Sequence, residues 1–199
     1  MRKNYLAIIA LMAVAGVAAA QSENAGDIPK GHEIAVALSN DTLQLEYISS
    51  GKLVGVDNSR FSGAFFLSED RDIVLSGGLV FPVDFDFGRL SVLLGPKAYA
   101  ALLNLENNDV MALSLGVELR FVIDKDLDLA VAGYAYYAPD ILTFGSSDNL
   151  TDFSVQAELP IAKQMRAFVG VRRFEIDLTE GGGTLTLQDE VFVGLGYRF

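Results

Sequence analysis

The sequence predicts an all-β fold: an antiparallel transmembrane β-barrel of about ten strands, with eight as the alternative, after an N-terminal signal peptide. Apolar residues alternate with small or polar ones over most of the chain, the pattern of strands that have one apolar face. After the first 20 residues, no apolar stretch approaches the ~20 residues of a membrane-spanning helix. The chain ends on an alternating aromatic strand, 190–199, as bacterial outer-membrane barrels do.

The first 20 residues have the pattern of an export signal. Arg2 and Lys3 form a positive start, an apolar core follows over 6–17, and three alanines at 18–20 form a cleavage site. We expect a signal peptide over 1–20, export through the Sec pathway, a flexible lead-in over 21–31 and one barrel domain over 32–199. A retained membrane anchor is the alternative, although the apolar core is short for one.

The composition excludes several classes of function. The 199 residues contain no cysteine, so neither disulfides nor thiol chemistry are available. The formal charge is −11, and loss of the two basic residues of the signal would make it −13 (13 − 26). A chain this acidic is a poor nucleic-acid binder. If it enters a membrane, it must do so as a closed barrel, because open sheet edges cannot be satisfied in lipid.

Ten alternating segments follow in order. They are 33–38, 42–48, 61–67, 73–83, 89–102, 111–123, 127–137, 153–161, a strand that begins at 167, and 190–199. Segment 111–123 is the clearest, with thirteen alternating residues against the ~5–6 of an average globular strand. Gly, Ala and Ser fill the less apolar faces, which favours the inside of a narrow barrel over the wet surface of a sandwich.

Two features of the pattern leave alternatives open. After Val171, the charged Arg173, Glu175 and Asp177 fall on the apolar face, so the strand either leaves the membrane near Arg172 or switches faces at a bulge. The connections over 124–126 and 162–164 are short, whereas 139–150 and 179–183 are longer. This order indicates a periplasmic C-terminus, although 49–59 would then be a long periplasmic turn.

Segments 38–47 (LSNDTLQLEY), 134–145 (YAYYAPDILTFG) and 168–177 (FVGVRRFEID), together with the terminal LGYRF, resemble the YfaZ family of Gram-negative bacteria. The resemblance covers most of the chain after the signal. It implies an exported outer-membrane protein, porin-like in fold, and it supplies no catalytic residues.

With the apolar faces outward, charged side chains of both signs collect in the lumen. These are Glu46, Arg89, Lys97, Glu118, Arg120, Asp128, Glu158, Glu190 and Arg198. Unpaired charges are expensive in a low-dielectric interior, so we expect a paired network that seals a narrow barrel. The alternative is a charged constriction that selects small solutes.

Other candidate sites are weak. Tyr134 and Tyr136 face inward, for packing or for stacking on a ligand, while Tyr137 suits an aromatic girdle. The acidic residues Asp140, Asp148 and Asp152 are expected to be solvated loop charges, because their spacing fits no tight Ca²⁺ loop.

The single histidine, His32, precedes the first strand, which argues against a Ser-His-Asp arrangement. We therefore expect no catalytic residue, no cofactor and no metal site.

The leading function is a porin-like narrow channel or a structural membrane protein. The alternative is a soluble periplasmic β-barrel that binds a small apolar ligand. The expected partners are outer-membrane lipid and the barrel-assembly machinery, which would recognise Tyr197 and Phe199 at the C-terminus. No nucleic-acid partner is expected.

Deleting Phe199 should therefore lower the amount of barrel assembled in the outer membrane by more than its lost burial explains. Quantification of the folded protein in membrane fractions checks this. Normal membrane levels of the truncated chain would refute a role in recognition.

Overall fold

The computed structural model describes residues 31–83, 88–104, 109–179 and 183–199. The predicted signal peptide and nearly all of the lead-in lie outside these residues. Eleven strands form within them: β1 (Glu33–Leu38), β2 (Thr42–Ser50), β3 (Arg60–Ser68), β4 (Ile73–Val83), β5 (Leu90–Leu102), β6 (Val110–Asp124), β7 (Leu129–Ala138), β8 (Thr143–Gly145), β9 (Ser147–Ala162), β10 (Met165–Leu178) and β11 (Gly183–Arg198). In the same residues, no helix has the length and apolar character to cross a membrane.

Ten of these strands close into a ring. Each long strand pairs antiparallel with its neighbours in sequence, and β1 pairs with β11 to close the circle. The three-residue β8 is an addition, because it pairs only with the part of β6 that extends past β7. The prediction of a ten-strand antiparallel barrel is confirmed, and the eight-strand alternative is wrong. Within the described residues, closure pairs each of the ten ring strands with a neighbour on both sides, as lipid requires.

The alternation of the sequence becomes the inside and outside of the barrel. On β6, Leu115 is 63% exposed, whereas its neighbour Ser114 is fully buried in the lumen. The outward residues of the other long strands are apolar in the same way, among them Leu45, Leu75, Leu94, Val155, Val169 and Val193. Contact of so much apolar surface with water would be strongly unfavourable. This belt therefore indicates contact with lipid.

The belt has a sharp edge on β10 and β11. Val171 and Val191 are exposed, apolar and paired with each other, while the next outward pair is Arg173 with Asp189. Phe174 stays inward and fully buried despite a register irregularity beside it. Of the two sequence alternatives, β10 therefore leaves the membrane after Val171 and does not switch faces.

The strands define two ends of the barrel. We call the end that holds Phe199 the C-terminal end and the opposite one the distal end. The short connection 163–164 lies at the C-terminal end, and the longer connection 139–146, which includes β8, lies at the distal end. The turn over 51–59 also lies at the C-terminal end, as the sequence indicated.

The seam between β1 and β11 continues one residue past each strand. The His32 amide donates to the Phe199 carbonyl at 2.9 Å, and the Phe199 amide donates to the His32 carbonyl at 2.8 Å. The His32 ring stacks on the outward Tyr47 and shares a 2.6 Å hydrogen bond with its hydroxyl. Deleting Phe199 removes both its side chain and these two backbone hydrogen bonds. The variant Phe199→Ala keeps the backbone hydrogen bonds, so it measures the contribution of the side chain to barrel assembly alone.

Replacing Leu119 with Arg should cost about 2–4 kcal/mol of unfolding free energy, the range for Arg near the bilayer midplane. Leu119 points outward on β6, farther from the distal rim than Leu115, which lies opposite the girdle residue Tyr137. Denaturant titration in lipid vesicles measures the cost. Ile141→Arg is the matched control, because Ile141 lies in the distal connection and is 83% exposed. Equal costs for the two variants would contradict the assigned belt.

Candidate functional site

The lumen is the candidate site, and its side chains form three layers along the barrel axis. Apolar side chains fill the distal end, a buried ion cluster surrounded by aromatic rings lies below them, and a chain of ion pairs lines the wall toward the C-terminal end. The layers arise because the inward positions of β3, β9 and β10 change from apolar to charged toward the C-terminal end.

The distal layer is a packed apolar cluster. Its buried members include Phe66, Val74, Tyr99, Leu150, Phe174, Ile176 and Leu187. The ring centroids of Phe66 and Phe174 are 5.8 Å apart in an edge-on arrangement, and those of Tyr99 and Phe174 are 5.7 Å apart. These three rings come from β3, β10 and β5, so their contacts reach across the lumen and not only along its wall. This distal apolar cluster fills the lumen from wall to wall.

Asp152 organises the middle layer. Its carboxylate is fully buried and accepts two hydrogen bonds from Arg172, from Nε at 2.8 Å and from Nη2 at 2.9 Å. The Tyr99 hydroxyl donates to the same carboxylate at 2.9 Å, and Lys97 Nζ lies 3.8 Å away. We call Asp152, Arg172 and Lys97 the central ion cluster. The prediction that Asp152 is a solvated loop charge is wrong, because β9 already begins at Ser147 and carries Asp152 into the lumen.

Aromatic faces surround both cations of this cluster. Lys97 Nζ lies 5.2, 5.1 and 5.0 Å from the ring centroids of Tyr99, Tyr134 and Tyr136. The Arg172 guanidinium lies 4.6 Å from the centroid of Phe174 and 5.2 Å from that of Phe66. Such contacts are worth most where water is excluded. Tyr134 and Tyr136 thus face inward and pack, as one of the two sequence alternatives held.

The third layer is a chain of six alternating charges. Arg120 donates to Asp128 at 3.3 Å and to Glu158 at 3.0 Å. Glu158 also accepts from Arg166 at 2.6 Å. Arg166 then donates to Glu33 at 2.7 Å, and Glu33 accepts from Arg198 at 3.3 Å. The chain therefore ties β6, β9, β10, β1 and β11 together near the C-terminal end.

A further ion pair joins the opposite wall. Arg60 of β3 pairs with Glu118 of β6. Glu118 also accepts a 2.5 Å hydrogen bond from the Tyr136 hydroxyl, which links this pair to the rings around Lys97. Glu46 lines the same space. Charged side chains of the described residues thus pair in the lumen in separate groups, the six-charge chain and the Arg60–Glu118 pair.

The structure places the nine predicted network residues as follows. The six found in ion pairs inside the lumen are Lys97, Glu118, Arg120, Asp128, Glu158 and Arg198. Glu46 lines the cavity. One prediction is wrong, because Arg89 precedes β5 at the barrel rim, is exposed and donates to the Ile123 carbonyl. Glu190 is partly buried at an inward position of β11, between Gln188 and Phe192, and accepts from the Asn40 amide beyond the end of β1.

Sequence reasoning missed five charged lumen residues. They are Glu33, Arg60, Asp152, Arg166 and Arg172. Strict alternation would have found them, because each neighbours an outward apolar residue such as Ile34, Phe61 or Val171. Four of them lie near strand ends or at the edge of the apolar belt, where the pattern alone does not say whether the strand is still in the wall.

A cavity of about 210 Å³ opens at the C-terminal end. Lys163 and Gln164 of the β9–β10 connection lie at its mouth, and Arg172 and Gln188 lie at its inner limit, against the central ion cluster. All six residues of the six-charge chain line its wall. The lining of the cavity therefore runs from the C-terminal end to the aromatic layer around the central ion cluster.

The remaining acidic candidates lie at the surface. Asp140 is exposed in the distal connection, and Asp148 is exposed at the second position of β9. Within the described ranges, no group of three or more His, Cys, Asp or Glu residues is placed to hold a metal ion.

Comparison with known proteins gives a family match. The model of the family described as YfaZ precursor matches residues 1–199, the whole chain. No curated protein matches the sequence. Among solved structures, the chain is similar to a "Bacterial polysaccharide outer membrane secretin", with TM-score 0.49, 13% identity, and coverage of 87% of this chain and 67% of that one. It is also similar to a "KdgM porin", with TM-score 0.44, 11% identity, and coverage of 85% and 99%.

Replacing Asp152 with Asn should cost about 3–5 kcal/mol of unfolding free energy, because it leaves two buried cations without their anion. Urea titration of the refolded barrel in vesicles measures the loss. Asp148→Asn, an exposed carboxylate four residues away, is the control and should leave the midpoint almost unchanged. If the two variants lose equal stability, Asp152 does not hold the central ion cluster.

Proposed function

This chain belongs to the YfaZ precursor family, and on that premise we propose that it is a porin-like outer-membrane barrel with a sealed lumen. The seal lies toward the distal end, which faces the cell exterior. A blind charged cavity faces the periplasm. The observation that carries this proposal is the contact of side chains from opposite walls in the middle and distal layers of the lumen.

The apolar belt supports membrane insertion over the soluble alternative. The side chains of Met111, Leu115, Val191 and Val193 are each more than half exposed on the outside of the barrel. In a soluble periplasmic barrel, these apolar side chains would be in contact with water. It would also need an apolar cavity for an apolar ligand. The open cavity of this barrel is lined by charges, and the apolar part of the lumen is filled by its own side chains.

The position of the ion cluster supports a seal over a selective passage. Lys97 on β5 and Asp152 on β9 are not on neighbouring strands, because β6 and β7 lie between them. Their 3.8 Å approach therefore spans the lumen. A conducting pore would need water and ions to pass this fully buried pair and then the distal apolar cluster. Glu118 and Arg120 lie on the open side of the cluster, so they line the cavity and do not form the seal.

The remaining biology follows as part of the proposal. The signal at 1–20 directs export through the Sec pathway, and the terminal Tyr197 and Phe199 are read by the barrel-assembly machinery. The lasting partner is outer-membrane lipid. No catalytic role is proposed, since the single His32 contacts Tyr47 and Phe199 at the seam and not a lumen nucleophile.

Planar-bilayer recording tests the seal. The native protein should show no conductance steps. The triple variant Phe66→Ala, Tyr99→Ala, Phe174→Ala removes the three rings that meet across the lumen and should give small, brief steps.

The matched control removes three outward rings instead, as Phe61→Ala, Phe65→Ala, Phe153→Ala, and should stay silent. Stable conductance steps in the native protein would overturn the proposed seal and favour a narrow channel.

A further inference from the structure

We infer that the cavity at the C-terminal end is a binding site for a small organic anion, a carboxylate of a few carbon atoms. The inference extends the proposed sealed barrel by giving its blind cavity a ligand. The inference is tested by a binding measurement, whereas the seal is tested by conductance. Loss of one therefore leaves the test of the other unaffected.

The charge on the cavity wall is the first argument. Seven cationic and five anionic side chains line the cavity, and the Asp152 carboxylate lies directly behind it against Arg172. Seven cations against six anions leave one net positive charge. The whole chain, in contrast, carries −11. A positive pocket in an acidic protein concentrates small anions over cations.

The hydrogen bonds of the wall are the second argument. Glu158 already accepts from Arg120, Arg166 and Gln156, and Glu33 accepts from Arg166 and Arg198. These two carboxylates are thus occupied by donors of the wall itself. Arg120 Nη1 is buried and has no hydrogen-bond partner among the described residues. A buried charged donor without an acceptor is costly, so the site favours an added acceptor.

A serine is paired with Arg120 on the neighbouring strand. Ser91 of β5 is directly opposite Arg120 of β6 in the strand register, and both line the cavity. The other two nitrogens of the Arg120 guanidinium are fixed by Glu158 and Asp128. Arg120 Nη1 and the hydroxyl of Ser91, at paired positions of the cavity wall, are therefore the two donors that we assign to the two oxygens of the carboxylate. The volume of about 210 Å³ limits the ligand to a small molecule.

Titration with acetate, followed by ligand-observed NMR on the full chain folded in detergent micelles, tests the site. We expect saturable binding with a Kd of about 0.1–10 mM, given the few atoms of the probe. Methylammonium at the same concentrations should not bind. Arg120→Gln should weaken acetate binding about tenfold or more, since it removes a charged donor.

Lys125→Gln is the matched control, because it removes one positive charge from an exposed turn that does not line the cavity. It should bind acetate as the native chain does. If Arg120→Gln does not fold, Ser91→Ala carries the test with an expected weakening of about 3- to 10-fold. No saturable acetate binding to the native chain, tighter binding of methylammonium, or native affinity in the Arg120 or Ser91 variant would overturn the inference.

Discussion

The fully buried carboxylate of Asp152 is the interaction on which the interior depends. An isolated charge at this depth would be strongly unfavourable, and the bidentate bond from Arg172, the Tyr99 hydroxyl and the nearby Lys97 together offset that cost. The cations bring their own desolvation cost, which the five surrounding aromatic faces reduce. In an open lumen, water would compete for the bonds of this cluster. The burial of the cluster therefore supports the proposed seal.

Room for so many rings in a narrow barrel comes from small residues in the wall. A side chain at Gly116 would meet Tyr136 at 2.2 Å, and one at Gly194 would meet Phe168 at 2.2 Å. In the sequence, these glycines only indicated that the inward faces carry small residues. In the structure, neighbouring aromatic rings occupy the space that a side chain at each glycine would fill. The same ring of strands that presents aliphatic side chains to lipid can then be filled from within by its own side chains.

Alternation along the chain was sufficient to predict the fold, because successive side chains of a strand point to opposite faces whatever the strand packs against. The facing of Leu115, Lys97, Tyr134 and Tyr136 was correct for that reason. The predictions failed where the sequence misplaced the start of a strand, because Arg89 precedes β5 and Asp152 lies well inside β9. The central ion cluster itself could not be predicted. Lys97, Asp152 and Arg172 are distant in the sequence, and which inward charges meet depends on the register around the whole ring.

A cysteine accessibility measurement tests most directly whether the lumen is open at one end only. The chain has no native cysteine, so single variants report without background. Gln156→Cys lies in the open cavity and Ile176→Cys lies in the distal apolar cluster. In the folded barrel, a small charged thiol reagent should modify Gln156→Cys readily and Ile176→Cys only after unfolding. Comparable rates at the two positions in the folded state would contradict a sealed lumen.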